Sequence, residues 1–252
     1  LFDKVHIKDV RKTLIMSART LIETEPNYSY VTTRLLLNDI HIEVAKTLEL
    51  PAPKNNSEMK QLYPSFLSSS ISKGIEVGLL DPRMQNFDLD RLGKAIVPKR
   101  DFLFSYLGLQ TLYDRYFLHN DLNRFELSQT FFMRVAMGLA IEEDDKNSRA
   151  IEFYNLMSTF DYMSSTPTLF NSGTVRSQLS SCFLTTIPDD LSSIYNAIKD
   201  NALLSKFAGG LGNDWTHVRA INAQIKGTNG KSQGVVPFLK VANDTAVAVN
   251  QG

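Results

Sequence analysis

The chain has 252 residues, 43% of them apolar and 21% charged, enough for one large domain or two modest ones and far from disordered or collagen-like compositions. Lys plus Arg and Asp plus Glu each total 27, so the net charge is zero and no basic excess points to a nucleic-acid polymer. A single cysteine, Cys182, excludes an intrachain disulfide and a cysteine-based structural zinc site.

No apolar run reaches the ~20 residues of a membrane span, and Leu1-Phe2-Asp3-Lys4 has no signal-peptide character, so a cytoplasmic location is expected. The four histidines, His6, His41, His119 and His217, lack i, i+4 pairing or a carboxylate pattern. They read as structural or surface groups, and no metal site is expected in this chain.

Residues 1 to about 160 read as helix after helix. From Val10, the apolar positions Leu14, Ile15, Ala18, Leu21 and Ile22 fall at helical spacing until Glu25-Pro26-Asn27. A second helix is expected from Tyr30 to Leu48, closed by Pro51-Ala52-Pro53, with further helices over 57–78, 101–118, 126–142 and 147–163. Near Ser164 small polar and β-branched residues take over, giving an expected boundary between a helical domain, 1–163, and a second domain, 164–252.

In the second domain, Ser177 to Thr186 reads as a strand carrying Cys182, and Pro188-Asp189-Asp190 starts a helix over about 190–206. A glycine-rich turn over 208–213 and an extended segment from Trp215 to Ala220 follow. A glycine and asparagine loop over 227–234 leads to an apolar helix from Val236 to Val249 before Gln251-Gly252. Strand, helix, strand, loop, helix is the opening of an α/β layer.

Two nucleotide motifs fail on spacing. Gly230-Lys231-Ser232 invites a P-loop, but the glycine required five positions before the Gly-Lys pair falls on Ile225, which disfavours a phosphotransferase. Gly210-Leu211-Gly212 invites a dinucleotide fingerprint, but its third glycine falls on Trp215. Glycines 209, 210 and 212 still imply positive φ or a close approach to another group.

Cys182, taken alone, reads as a small buried hydrophobe. Ser180 and Ser181 beside it gather hydroxyls and backbone amides at a strand, a setting suited to an anionic or sugar ligand. Asp189 and Asp190 read by default as helix N-cap residues, and an aspartate there equally suits ribose hydroxyls.

Several segments together resemble the large subunit of class I ribonucleotide reductase: STPTLFNSGT (165–174), QLSSCFLTT (178–186), LLSKFAGGLGNDW (203–215) and IKGTNGKSQGVVPFLKVANDTAVAVNQG (225–252). In the helical part, LGLQTLYDRYFL (107–118) and FFMRVAMGLA (131–140) do so too. The resemblance implies an α/β fold: a mainly helical N-terminal domain, then the first strands and helices of a ten-stranded α/β barrel. It implies reduction of ribonucleoside diphosphates to deoxyribonucleotides by a thiyl-radical mechanism, with a cysteine pair supplying two electrons.

By that resemblance Cys182 is the first member of the reducing pair, Thr166, Ser181, Cys182 and Gly210 contact substrate, and Asp189, Asp190, Leu191, Lys206, Arg219, Lys226 and Gly227 bind a deoxynucleoside triphosphate or ATP as allosteric effector. The implied partners are the C-terminal half of the large subunit, a small subunit holding the metal-radical cofactor, thioredoxin or glutaredoxin as reductant, and a twofold mate through helices near 190–206 and 235–249. The radical-bearing cysteine, the second reducing cysteine and the upstream ATP-cone are expected outside these 252 residues, so the chain alone should not turn over. The competing expectation is a noncatalytic nucleotide-binding or assembly module in which Cys182 is inert.

Overall fold

The computed structural model describes residues 4–121, 123–206 and 209–249, and every structural statement below concerns these residues. Residues 1–3, Ala208 of the glycine-rich stretch and Gln251-Gly252 lie outside them. The chain divides into two compact units, residues 1–164 with 169–177, and residues 165–168 with 178–252. The textural change at Ser164 is therefore spread over fourteen residues, because 169–177 pack with the helical unit (from 164 to 178 is 14).

The first unit is helical, with α1 (Ile7–Thr20), α2 (Tyr28–Thr47), α3 (Asn56–Glu76), α4 (Leu89–Ala95), α5 (Tyr106–Arg115), then strands β1 (His119–Asn120) and β2 (Asn123–Arg124), α6 (Ser128–Leu139) and α7 (Lys146–Ser158). α6 is its centre: Phe131, Phe132, Val135 and Ala136 are fully enclosed, so this helix has no solvent face along most of its length. The single helix expected over 101–118 is two elements. A 3-10 turn, Pro98–Leu103, is followed by α5, because Ser105 leaves helical geometry and caps the amide of Gly108 at 3.3 Å.

Arg134, on α6, is buried with Glu126 and ties down the segment that leads toward Cys182. Its guanidinium donates to both Glu126 oxygens at 2.9 and 3.2 Å and to the carbonyls of Leu169 and Ser172 at 3.0 Å each. Behind it, Gly138 meets the same segment so closely that an added Cβ would lie 2.1 Å from the Gly173 amide nitrogen and 2.3 Å from Ser172 Oγ. Backbone cannot yield to that contact, so Gly138→Ala should lower stability by roughly 1–3 kcal/mol in urea denaturation. An unchanged midpoint would mean that this approach is looser than described.

The second unit is α/β. It comprises the start of α8 (Thr166–Asn171), β3 (Cys182–Thr186), α9 (Leu191–Ser205), β4 (Gly210–Asp214), the hairpin β5 (Ile221–Ile225) with β6 (Gly230–Gln233), and α10 (Val236–Val249). β3 and β4 pair in parallel through the crossover helix α9, as a βαβ unit requires, with Cys182 opposite Gly210 and Thr186 opposite Asp214. The pairing extends one step further, the Ile187 amide donating to the Asp214 carbonyl at 2.9 Å. Ile187, Ile194, Ala197 and Ile198 form a small core against Trp215, Val218, Phe238 and Ala242.

Three expectations for this unit need correction. The glycine-rich stretch is not a turn from Gly210 onward but strand β4. Gly212 lies opposite Leu184, whose side chain would stand 2.7 Å from an added Cβ, so glycine supplies lateral room rather than positive φ. The segment after Trp215 is a turn, closed by the Val218 amide on the Trp215 carbonyl at 3.0 Å, and extension begins only at Ile221. The expected loop 227–234 is half strand: β6 takes residues 230–233, and the turn is confined to the residues before it, the chain reversing at Asn229, whose φ is 54°.

Candidate functional site

Parallel pairing of β3 with β4 assembles the first cluster. The Gly210 amide donates to the Ser181 carbonyl at 2.7 Å, and Gly210 faces the Cys182 side chain: a Cβ there would sit 3.5 Å from Sγ and 3.4 Å from the Ser181 oxygen. The absence of a side chain at 210 thus keeps one flank of the thiol open. Cys182 is exposed, so the buried-hydrophobe reading does not hold. Because alternate strand residues share a face, Cys182 stands with Leu184, 87% exposed, and Thr186.

Thr166 opens α8. Its helix is tied to the approach to β3 by Thr168, whose hydroxyl donates to the Leu179 carbonyl at 3.1 Å, two residues before Ser181. The structure therefore sets Ser181, Cys182 and Gly210 side by side and links the Thr166 turn to the same strand entrance. The thiol can exchange hydrogen and electrons with a group laid over Gly210, and nothing in its own strand pair covers it.

A second cluster stands at the other end of β3. Asp189 and Arg219, thirty residues apart in sequence, form a two-oxygen ion pair, Nε lying 3.0 Å from Oδ1 and 2.8 Å from Oδ2. The Arg219 amide adds a bond to Oδ1 at 3.2 Å, and Nη2 donates to the Asp189 carbonyl at 3.3 Å. Both side chains remain about one-third exposed, so the pair is accessible to a ligand. Ile187 and Val218 of the small core hold the two backbones in place beside it.

Asp190 is the N-cap of α9, its carboxylate accepting from the Ser193 amide at 2.9 Å, and these Ser193 contacts hold its pKa below the usual carboxylate value. Leu191 begins the helix, 64% exposed. Lys206 is not part of this cluster: it is the C-cap of α9, fifteen residues on and about 22 Å along the axis. Lys226 and Gly227 occupy the turn of the β5–β6 hairpin, whose first strand runs about 13 Å from Ile221.

Sequence reasoning missed how these groups engage one another. The Asp189–Arg219 pair has no local signature, nor does the reciprocal amide pair Asn201 and Asn213, at 2.6 and 3.2 Å, which locks α9 to β4. Only the parallel strand pairing brings either about.

The ribonucleotide reductase all-alpha domain matches residues 102–177, and the ribonucleotide reductase barrel domain matches residues 180–252. The ribonucleoside-diphosphate reductase subunit alpha of Chlamydia muridarum is 55% identical over 239 residues, covering 94% of this chain and 22% of that protein. The subunit alpha of Helicobacter pylori strain 26695 is 41% identical over 254 residues, covering 99% and 30%, and the large subunit of Plasmodium falciparum isolate Dd2 is 38% identical over 234 residues, covering 91% and 27%. The chain thus spans between 22% and 30% of the length of these relatives. With a helical unit followed by the opening of an α/β barrel, and with relatives of one kind along its whole length, the chain belongs to the large-subunit family of ribonucleotide reductase.

Proposed function

We propose that this chain supplies one reducing thiol, part of the substrate pocket and part of an effector site to a ribonucleoside-diphosphate reductase. The observation that carries the reading is the exposed Cys182 thiol, flanked by Gly210 and Ser181 on a parallel strand pair of the family's barrel. In the proposed step, two thiols give up two electrons and two protons to the substrate. The ribose 2′-hydroxyl leaves as water, hydrogen takes its place, and the thiols close to a disulfide. Cys182 is one thiol, and its partner belongs to the C-terminal part of the large subunit. Ser181 and Thr166 orient the substrate through hydroxyl or backbone groups.

Effector binding is assigned to Asp189, Asp190, Leu191 and Arg219, with Lys226 and Gly227 closing over the phosphates of a deoxynucleoside triphosphate or ATP. Lys206, a helix length away, receives no role in that cluster within one chain. The remaining partners in this reading are a small subunit bearing the metal-radical cofactor, thioredoxin or glutaredoxin as reductant, and a second copy meeting α9 and α10. The dimer proposal is supported by α10, an apolar helix with no buried residue, and by exposed Leu191, Tyr195 and Val247. A cytoplasmic location accompanies the reading.

The test is ribonucleoside diphosphate reduction by this chain mixed with the separately made C-terminal part and the small subunit, each omitted in turn. Activity in the full mixture alone supports the reading. None, with folded partners and effector present, favours a noncatalytic binding or assembly module. In the active mixture, Asp189→Ala should weaken effector binding about tenfold or more and blur substrate choice, since an ionised acceptor is lost. Folding should be little affected, because a partly exposed ion pair contributes at most about 1 kcal/mol. An unaltered effector response removes Asp189 from the site.

A further inference from the structure

Among the described residues, the chain from Gln178 to Ser181 has no strand partner on its way into β3, so its carbonyls depend on individual donors. The Leu179 carbonyl accepts from the Thr168 hydroxyl at 3.1 Å, the Ser180 carbonyl from the Gln178 side-chain amide at 3.0 Å, and the Ser181 carbonyl from the Gly210 amide at 2.7 Å. Of these donors, Thr168 is the one carried by the segment that also bears Thr166.

Threonines inside the long helices use their hydroxyls differently. Thr13, Thr32, Thr47 and Thr111 each donate to the carbonyl four residues back, on their own helix. Thr168 stands in the first turn of α8, where no helical turn precedes it to accept such a bond. Its proton goes instead to Leu179, eleven residues on, and its oxygen lies 3.4 Å from the Ser165 hydroxyl. This half-buried group joins residues 165–168 to the stretch from 178, and both belong to the same compact unit. The start of the helix and the entrance to the strand are thereby held at one spacing.

That spacing bears on the substrate site proposed above, a reading on which this inference rests. Thr166 lies two residues before Thr168, and Ser181 and Cys182 lie two and three residues after Leu179, so the bond spans the two sides of the pocket. We propose that Thr168 is a positioning residue of the reductase: its hydroxyl acts through Thr166 and Ser181, holding them and the Cys182 thiol at their working distance. The position requires a donor. Valine has nearly the same shape but offers no proton, so the Leu179 carbonyl turns to water and the strand entrance is released from α8. Serine keeps the donor.

Steady-state reduction of cytidine diphosphate by the complete reductase decides it, at saturating effector, with wild-type, Thr168→Val and Thr168→Ser large subunits. Misplacing reacting groups by about 1 Å costs up to about 10²-fold, so Thr168→Val should lower kcat/KM by about tenfold or more and raise KM by about threefold or more, while Thr168→Ser stays within about threefold of wild type. Effector affinity and stoichiometry, measured on the same preparations, should be those of wild type. A merely structural defect removes folded enzyme, lowering apparent kcat and effector stoichiometry together and leaving KM where it was. The proposal is overturned by that pattern, by a Thr168→Val enzyme with wild-type kcat and KM, or by a Thr168→Ser enzyme as impaired as the valine variant. Absence of turnover in the wild-type enzyme would instead remove the parent reading of Cys182 and Thr166, and this inference with it.

Discussion

Cys182→Ser should abolish deoxyribonucleotide formation in the reconstituted enzyme, on the order of 10³-fold or more, while leaving effector affinity unchanged. Serine keeps the size and the hydrogen bonding of the site but neither gives up an electron nor forms a disulfide. Because the thiol is exposed, the substitution should move stability by no more than about 0.5 kcal/mol, which separates a chemical loss from a folding loss. Asp189 lies seven residues further along, beyond the end of β3, so the effector cluster should not feel the change (from 182 to 189 is 7). Retention of even a tenth of the wild-type turnover would make Cys182 a bystander.

The largest stability effect is expected at Arg134. In Arg134→Met the Glu126 carboxylate, 2% exposed, loses its counter-ion, and the carbonyls of Leu169 and Ser172 lose their donor. Breaking one side of such a buried pair costs about 3–5 kcal/mol, a large part of the stability of an ordinary domain. Urea denaturation of the variant measures it. The double variant Arg134→Met/Glu126→Gln should recover part of the loss by removing the stranded charge. The Leu118 amide, which donates to Glu126 at 2.8 Å, retains an acceptor in glutamine. A loss under about 1 kcal/mol for Arg134→Met would mean that water reaches the pair.

The long helices were legible because their apolar positions repeat at 3.6 residues. The expected helices over Tyr30–Leu48 and Val236–Val249 correspond to α2 at Tyr28–Thr47 and to α10 at Val236–Val249. Short elements were not: α4, with seven residues, and α8, with six, are too brief to show a period. The strands of the second unit were the hardest. Gly210–Asp214 carries no β-branched residue, and its conformation is imposed by pairing with Cys182–Thr186 across the intervening helix. Local composition therefore reads as a turn where non-local hydrogen bonding makes a strand.

The site was legible unevenly for the same reason. Asp190 reads as an N-cap and is one, because capping depends only on the next three residues. The engagement of Asp189 with Arg219 and the placing of Gly210 against Cys182 depend on which strands pair, so no spacing rule reveals them. Lys206 shows what distance along a helix adds to such a reading. Its charge suited a phosphate, but helical rise carries it away from the aspartates.

The reducing role of Cys182 is tested most directly by a single turnover of the reconstituted enzyme without external reductant, followed by alkylation of free thiols and mass measurement of the Cys182 peptide. Protection of Cys182 in proportion to deoxyribonucleotide formed, reversed by dithiothreitol and joined by disulfide to a cysteine of the C-terminal part, is the result this account predicts. Product formed while Cys182 stays fully alkylated would contradict it.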